Sequence, residues 1–300
     1  MEGLAKIYHG RIERDYPLAP LTTFRAGGAA DWFFEPSREE EIGPLLIFLA
    51  ARGTPVTIFG EGSNVLVRDG GIRGAVIRIG QSLADLHWDG DLLRAGAGLS
   101  SRSLAKKTRD EGRGGFEWAA ALPGNLGGAI RGNAGAFGGD MAACFRELSG
   151  WSFEGDRVSL TRGEVEFAYR QSSLAANIVI TRIVLELPVL CDGDREASSI
   201  RYDEVLAKRA ATQPKGLFTA GSTFKNPEGD QAGRLIDACG LKGRSVGGAS
   251  VSLRHANFIE ATGESVNAAE IEALIDSIAE EVERQTGVCL EREVKIYGEA

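Results

Sequence analysis

The chain has 300 residues, 43% hydrophobic and 25% charged, an ordinary globular balance that excludes a mainly disordered protein and leaves room for two domains with unstapled cores. The net charge of −8 argues against a coat for nucleic acid or an anionic membrane, both of which call for a basic face. It does not exclude an anionic small molecule held by backbone N–H groups. Forty glycines, about twice the usual share, stand against nine prolines with no collagen-like period, so they point to tight turns and close approach of backbone to a ligand.

The segment from Met1 to Pro20 has scattered charges and no apolar stretch of the kind a secretory signal needs. No later run is long and apolar enough to span a membrane. Cys144, Cys191, Cys239 and Cys289 are too far apart for a zinc knuckle or a C-x-x-C pair, and read as reduced thiols of a cytoplasmic protein. Ser37 and Glu40 have capping-box spacing before the apolar face Ile42, Leu45, Leu46, Leu49, with Gly53 as the stop and Pro44 expected to start or kink the helix. Strands are expected at Pro55–Phe59, Val65–Val67 and Ala75–Ile79, which makes a small α/β unit over about residues 20–80. A helix near Ser101–Glu111, a glycine-rich stretch from Ala121 to Asp140, and a β-rich run from Asn177 to Leu187 suggest a sheet-dominated second part. The polar run Asp192–Ala197 reads as a linker. Helices follow near Tyr202–Ala211 and Asp230–Cys239, and then the clearest one, Ala268–Gln285. Asn267 caps that helix, Glu270 sits three residues on, Ile271, Leu274, Ile275, Ile278 and Val282 form its stripe, and Gly287 ends it. Leu290–Tyr297 reads as a terminal strand.

Two glycine-rich segments carry chemistry. Gly60-Glu61-Gly62-Ser63-Asn64 joins two apolar strands, and such a loop can aim consecutive N–H groups at an anion, or be a plain turn. Between positions 124 and 139 there are seven glycines, in Pro123-Gly124-Asn125-Leu126-Gly127-Gly128-Ala129 and Gly132-Asn133-Ala134-Gly135-Ala136-Phe137-Gly138-Gly139. A flexible loop is one reading; a diphosphate cradle is the other, and the apolar Leu126, Ala129, Ile130 and Phe137 favour it. Neither G-x-G-x-x-G nor G-K-[ST] occurs, so any dinucleotide is held on neither a Rossmann nor a P-loop scaffold.

These segments, taken with Thr22–Gly28, Tyr169-Arg170-Gln171-Ser172, Ala220–Pro227, Ala232–Ile236, His255-Ala256-Asn257-Phe258-Ile259 and Leu290–Gly298, resemble the UDP-N-acetylenolpyruvoylglucosamine reductase family in order and over nearly the whole chain. The compact run from Arg170 to Ser222 is similar to the family's shorter class. Asn125 stands where the family commonly has Thr or Ser, and Arg131-Gly132 replaces a more apolar pair.

The resemblance implies an α+β protein: a two-part FAD-binding fold of the vanillyl-alcohol-oxidase type, over residues 1–83 and 84–195, and a C-terminal α+β part, 196–300, that binds the UDP-sugar. The terminal strand, within 290–300, is expected to pack back on the first part. FAD is the implied cofactor and NADPH the co-substrate of a cytoplasmic, monomeric enzyme of peptidoglycan precursor synthesis, with UDP-N-acetylglucosamine enolpyruvate as its partner. By the same resemblance Arg170 holds the substrate carboxylate, Ser222 gives the proton and Glu293 assists, with Glu291 a decoy two residues earlier. FAD contacts are expected from Gly60, Gly62, Ser63, Asn64, Pro123, Gly124, Asn125, Gly127, Gly128, Asn133 and Gly135. Substrate contacts are expected from Tyr169, Lys225 and Asn226. His9, His87 and His255 are too scattered for a metal triad, no metal is expected, and His255 reads as structural.

Overall fold

The computed structural model describes residues 4, 8–214, 218–262 and 266–300, so parts of the Met1–Pro20 segment lie outside the described residues. The chain gathers into two compact units. The first comprises residues 1–13, 32–61 and 74–209; the second comprises 14–31, 62–73 and 210–300. No described helix is long and apolar enough to cross a membrane.

The sheet that opens the first unit has the order β1-β2-β5-β3 and begins with β1 (Arg11–Pro17) and β2 (Ala29–Glu35), of which residues 14–17 and 29–31 count with the second unit. No strand is signalled at β1, because Arg11, Glu13, Arg14 and Asp15 break the alternation. An edge strand tolerates such charges, which also block pairing with other chains. Next comes α1 (Ile42–Ala50), which buries Ile42, Leu45, Leu46 and Leu49. Pro44 lies in the first turn, where its missing N–H has no helical acceptor to lose. The expected capping box is displaced by one residue. Glu39–Glu41 makes a 3-10 turn ahead of α1, so Glu41 and not Glu40 accepts from Ser37, at 2.9 Å from N–H and 2.7 Å from Oγ. Then follow β3 (Val56–Phe59), β4 (Val65–Val67), which belongs to the second unit, and β5 (Ile72–Arg78), with β3 and β5 parallel from Val56↔Ala75 to Phe59↔Arg78.

The larger sheet of this unit is antiparallel. It uses β6 (Leu86–Asp89) and β7 (Leu92–Gly96), then, after α2 (Ser101–Asp110), α3 (Leu126–Arg131), β8 (Gly135–Ala136), β9 (Gly139–Asp140) and α4 (Met141–Cys144), it takes up β10 (Phe145–Ser152) and β11 (Arg157–Thr161). The small hairpin β12 (Phe167–Ala168) and β13 (Gln171–Ser172) precedes β14 (Ile178–Glu186), and the sheet order is β11-β10-β14-β7-β6. The unit's core packs Leu45, Leu46 and Leu49 with Leu104, Leu126, Ile130, Leu148, Ile183 and Leu185.

The expected linker is a helix. The element α5 (Asp192–Thr212) runs 21 residues without a break, so Asp192–Ala197 is its first turns and the boundary at 195/196 falls inside it. Asp192 and Asp194 suit a helix N-terminus, where the macrodipole favours negative charge. Its buried stripe is thin, Ser198, Tyr202 and Val205, which is why composition reads as linker.

The second unit holds α6 (Ala232–Ala238), the antiparallel sheet of β15 (Ser245–Val246), β16 (Ala249–Val251) and β17 (Ile259–Ala261), then α7 (Ala268–Thr286) and β18 (Lys295–Tyr297). Asn267 caps α7 by accepting from Glu270 N–H at 2.8 Å, and Asp69 adds its carboxylate to the N–H groups of Ala268 and Ala269. The stripe Ile271, Leu274, Ile275, Ile278 and Val282 is buried as expected, each side chain worth about 1.5–3 kcal/mol of transfer. The terminal strand is shorter than Leu290–Tyr297; only Lys295–Tyr297 pairs as strand, parallel to β4. Phe24, Ala26 and Leu66 belong to this unit's core beside Leu235, Ile236 and Ile275.

Candidate active site

The loop between β3 and β4 puts its carbonyls and its N–H groups to different use. The carbonyls of Gly62 and Asn64 accept from Thr23 N–H (3.2 Å) and Lys295 N–H (3.1 Å). Among the described residues, the N–H groups of Gly62, Ser63 and Asn64 make no hydrogen bond. Consecutive unspent N–H groups form a nest for an anion. Gly62 is required there: its φ is +61, and a Cβ would lie 2.1 Å from the Leu21 carbonyl oxygen. In the first unit, Gly60 lies against Asn125, where a Cβ would come 2.8 Å from Oδ1. Ser101 donates its N–H to the Gly124 carbonyl (3.0 Å), while its fully buried hydroxyl has no partner. The unspent N–H row, taken by itself, suits the diphosphate of a cofactor.

The longer glycine run is built differently from a cradle of free N–H groups. Asn125 caps α3, its Oδ1 accepting from Gly128 N–H (3.2 Å) and its Nδ2 donating to the Ile79 carbonyl (2.9 Å). Asn, Thr and Ser all serve as N-caps, so the departure from the family's residue keeps the job. Gly127 N–H donates to Ala97 O, and a Cβ there would lie 3.1 Å from the Ala97 Cβ. Gly127 and Gly128 therefore spend their donors within the protein, and their smallness serves close packing of α3. Arg131 donates to the carbonyls of Ala175 and Ile178, a packing role at the second departure. Asn133, at φ +40, joins Ala142 N–H (3.0 Å) to the Ala168 carbonyl (2.9 Å) and so holds the base of the β12–β13 hairpin.

That hairpin carries Tyr169 and Arg170 at its two-residue tip. Tyr169 is exposed, and Arg170 is half-buried at φ +54, a left-handed conformation that glycine would take freely. A Cβ on Gly135 would lie 3.3 Å from Arg170 Nη1, so Gly135 makes room for the guanidinium. Pro123 precedes Gly124, whose φ is +93.

In the second unit, the segment Ser222–Lys225 runs between two others. Ser222 bridges Phe258 and Phe224 bridges Arg292, both antiparallel. Thr223 N–H donates to Asn257 O (2.8 Å), and Thr223 O accepts from Glu293 N–H (2.8 Å). Buried Asn257 grips Phe224 at both backbone groups, taking its N–H on Oδ1 (2.9 Å) and donating Nδ2 to its carbonyl (2.8 Å). Ser222 and Glu293 are thereby brought onto neighbouring segments one residue out of register. The Ser222 hydroxyl makes no hydrogen bond among the described residues, and both side chains are half-buried. Arg170 belongs to the other unit.

Lys225, mostly buried, pairs through Nζ with Glu291 at 2.5 Å, so the decoy carboxylate has a partner of its own. Asn226 accepts from Ala232 N–H through Oδ1 (3.1 Å) at the start of α6. His255 packs its ring 4.6 Å from Phe258, accepts from Asn257 N–H on Nδ1, and is held below the ordinary imidazole value by burial, all of which suits a structural residue. Among the described residues no cluster of His, Cys, Asp or Glu is arranged to hold a metal ion. Sequence reasoning missed Asn257 as a clamp, Asp69 as a cap, and the side-chain bond Asn64 makes to Glu293. These partners lie from 33 to 229 residues away, and nothing local marks them.

An unspent N–H row outside any Rossmann or P-loop frame, in an α+β chain, fits the class of FAD-binding oxidoreductases, and the comparisons with known proteins place the chain there. Residues 30–156 match the FAD binding domain family, and residues 213–297 match the family described as UDP-N-acetylenolpyruvoylglucosamine reductase, C-terminal domain. The chain is 42% identical over 290 residues, 96% of its length and 93% of the other's, to UDP-N-acetylenolpyruvoylglucosamine reductase 2 of Symbiobacterium thermophilum. It is 40% identical over 299 residues, 99% and 97% of the two lengths, to the reductase of Desulforamulus reducens. The crystal structure of the reductase from Thermus caldophilus superposes with a TM-score of 0.84 at 33% identity, over 97% of this chain and all of that one. The chain belongs to the UDP-N-acetylenolpyruvoylglucosamine reductase family, an FAD-dependent enzyme family, and its length fits the shorter class.

Proposed function

We propose that this protein reduces UDP-N-acetylglucosamine enolpyruvate to UDP-N-acetylmuramate at the expense of NADPH, in the cytoplasmic synthesis of peptidoglycan precursors. FAD, when bound, supplies the hydride that reaches the vinyl C3. In the division of labour we infer, residues 1–83 and 84–195 hold FAD and residues 196–300 hold the UDP-sugar. Gly60, Gly62, Ser63 and Asn64, with Pro123, Gly124 and Gly135, would hold the cofactor, as N–H donors or by leaving room for it. Asn125, Gly127, Gly128 and Asn133 support it by fixing α3 and the β12–β13 hairpin.

Hydride addition at C3 of the enolpyruvyl group leaves negative charge delocalised from C2 onto the carboxylate. Arg170 binds that carboxylate, its planar fork matching both oxygens and its charge stabilising the enolate-like intermediate. Ser222 then gives its hydroxyl proton to C2, completing the lactyl ether. A serine is a weak acid, so the proton must be replaced from a neighbour as it leaves; Glu293, on the adjacent segment, is the group assigned to that relay. Tyr169, Lys225 and Asn226 shape the sugar and diphosphate subsite. In this reading Lys225 exchanges Glu291 for the diphosphate.

The observation that carries the reading is the unspent Ser222 hydroxyl one hydrogen-bonded segment from Glu293. The test is Ser222→Ala in rapid-mixing absorbance. NADPH is expected to reduce the flavin at the parent rate, while reoxidation by the enolpyruvyl sugar slows roughly 10²–10⁴-fold, the usual scale of a lost general acid. Unimpaired reoxidation contradicts the role given to Ser222.

A further inference from the structure

Asn64 takes part in two structures at once. Its backbone N–H is the last of the unspent row Gly62–Asn64. Its carbonyl accepts from Lys295 N–H at 3.1 Å, and its side-chain Nδ2 donates to the carbonyl oxygen of Glu293, also at 3.1 Å. The next pair along, Val65↔Lys295, opens the regular parallel ladder of β4 and β18. A parallel strand ordinarily receives its hydrogen bonds from its neighbour's backbone N–H groups. Before Val65 those groups make no such bond among the described residues, and the Asn64 side-chain amide reaches across in their place. The backbone on both sides of residue 294 is thus tied to one loop residue. The other face of Glu293 is tied by its own N–H to Thr223 O, beside Ser222.

We infer that Asn64 is a positioning residue for Glu293, and that through it the anion-binding loop and the proton-transfer residues form one rigid piece. This rests on the reading of Glu293 given above. A loop N–H row needs only backbone, so the side chain is free to serve a different end from cofactor binding. Aspartate has the same shape as asparagine and no N–H, so it cannot make this bond. Misplacing a proton-handling group by about 1 Å costs on the order of a hundredfold in rate, which sets the scale of effect.

The experiment compares Asn64→Ala and Asn64→Asp with the parent, each alone and combined with Glu293→Gln. Three quantities are read: the dissociation constant of FAD by titration of apoprotein, flavin reduction by NADPH without substrate, and reoxidation by the enolpyruvyl sugar at saturation. For Asn64→Ala the first two are expected within about threefold of the parent, whereas reoxidation falls about tenfold to a hundredfold. Asn64→Asp, which keeps the shape of the loop, is expected to lose reoxidation as well. In the Glu293→Gln background, Asn64→Ala is expected to cost less than about twofold more, because the two changes act through one group. Near-parent reoxidation in Asn64→Asp, or an equal loss by Asn64→Ala in both backgrounds, overturns the inference. So does a defect confined to FAD affinity that vanishes once FAD is saturating. Normal reoxidation in Glu293→Gln alone overturns instead the reading of Glu293, and the inference with it.

Discussion

Asn125, Asn133 and Asn257 are each 4% exposed, and each spends both ends of its amide on backbone groups, with at least one partner distant in sequence. An asparagine side chain is a peptide unit in miniature, with a carbonyl acceptor and N–H donors, so it can close a ladder where no strand passes. In that way these residues fix α3, the hairpin that carries Arg170 and the segment that carries Ser222. Arg170 itself sits at φ +54 in the tip of a tight hairpin, where a side chain costs about 1–2 kcal/mol over glycine. Strain at that point accords with the carboxylate-binding role proposed for Arg170. Arg170→Gly is therefore expected to change apoprotein stability in urea unfolding by less than about 1 kcal/mol, relief of the backbone strain offsetting the lost side-chain contacts, while reoxidation by the enolpyruvyl sugar collapses. A clear loss of stability contradicts the strain argument.

Elements were legible where local rules agree with tertiary packing. For α7, the cap, the five-residue stripe and the glycine stop were readable as they stand, and β4 was readable to the residue. Three elements were not. The charged edge strand β1 lacks alternation, α5 has too thin a buried stripe, and α3 carries two glycines whose cost its buried Leu126, Ala129 and Ile130 offset. Of the site, the loop Gly60–Asn64 was legible only as either an anion-binding loop or a plain turn, and its N–H groups from Gly62 to Asn64 stand unspent. The longer run was read as a cradle, yet many of its N–H groups go to close packing. Which residue each asparagine holds depends on long-range contact and was not legible.

The entry to α1 supplies a pH test at this scale. Burial alone would raise the Glu39 carboxyl, but hydrogen bonds from Arg182, Arg157 and Thr181 outweigh it and hold the group below the ordinary glutamate value. A group whose folded value is depressed adds stability above its unfolded value and loses that contribution as pH falls through the folded one. Glu39→Gln is expected to lower stability at neutral pH and to flatten the decline on acidification. Parallel stability-against-pH curves for parent and variant contradict this.

At the scale of the whole molecule, neither unit is one stretch of chain. Residues 210–300 alone lack Phe24, Ala26 and Leu66 from their core, β4 as the partner of β18, and Asp69 as a second cap of α7. The N-terminal segments that carry the unspent N–H row thus also complete the unit holding Ser222 and Glu293, and the function proposed for the chain is one FAD-dependent reduction that needs all of these segments. The most direct measurement of that claim is anaerobic. The FAD-loaded protein is reduced with one equivalent of NADPH and mixed with UDP-N-acetylglucosamine enolpyruvate, and the flavin's visible absorption is followed while product is collected. The account predicts that the oxidised spectrum returns with stoichiometric UDP-N-acetylmuramate. A flavin that stays reduced until oxygen is admitted, with the enolpyruvyl sugar unchanged, contradicts it.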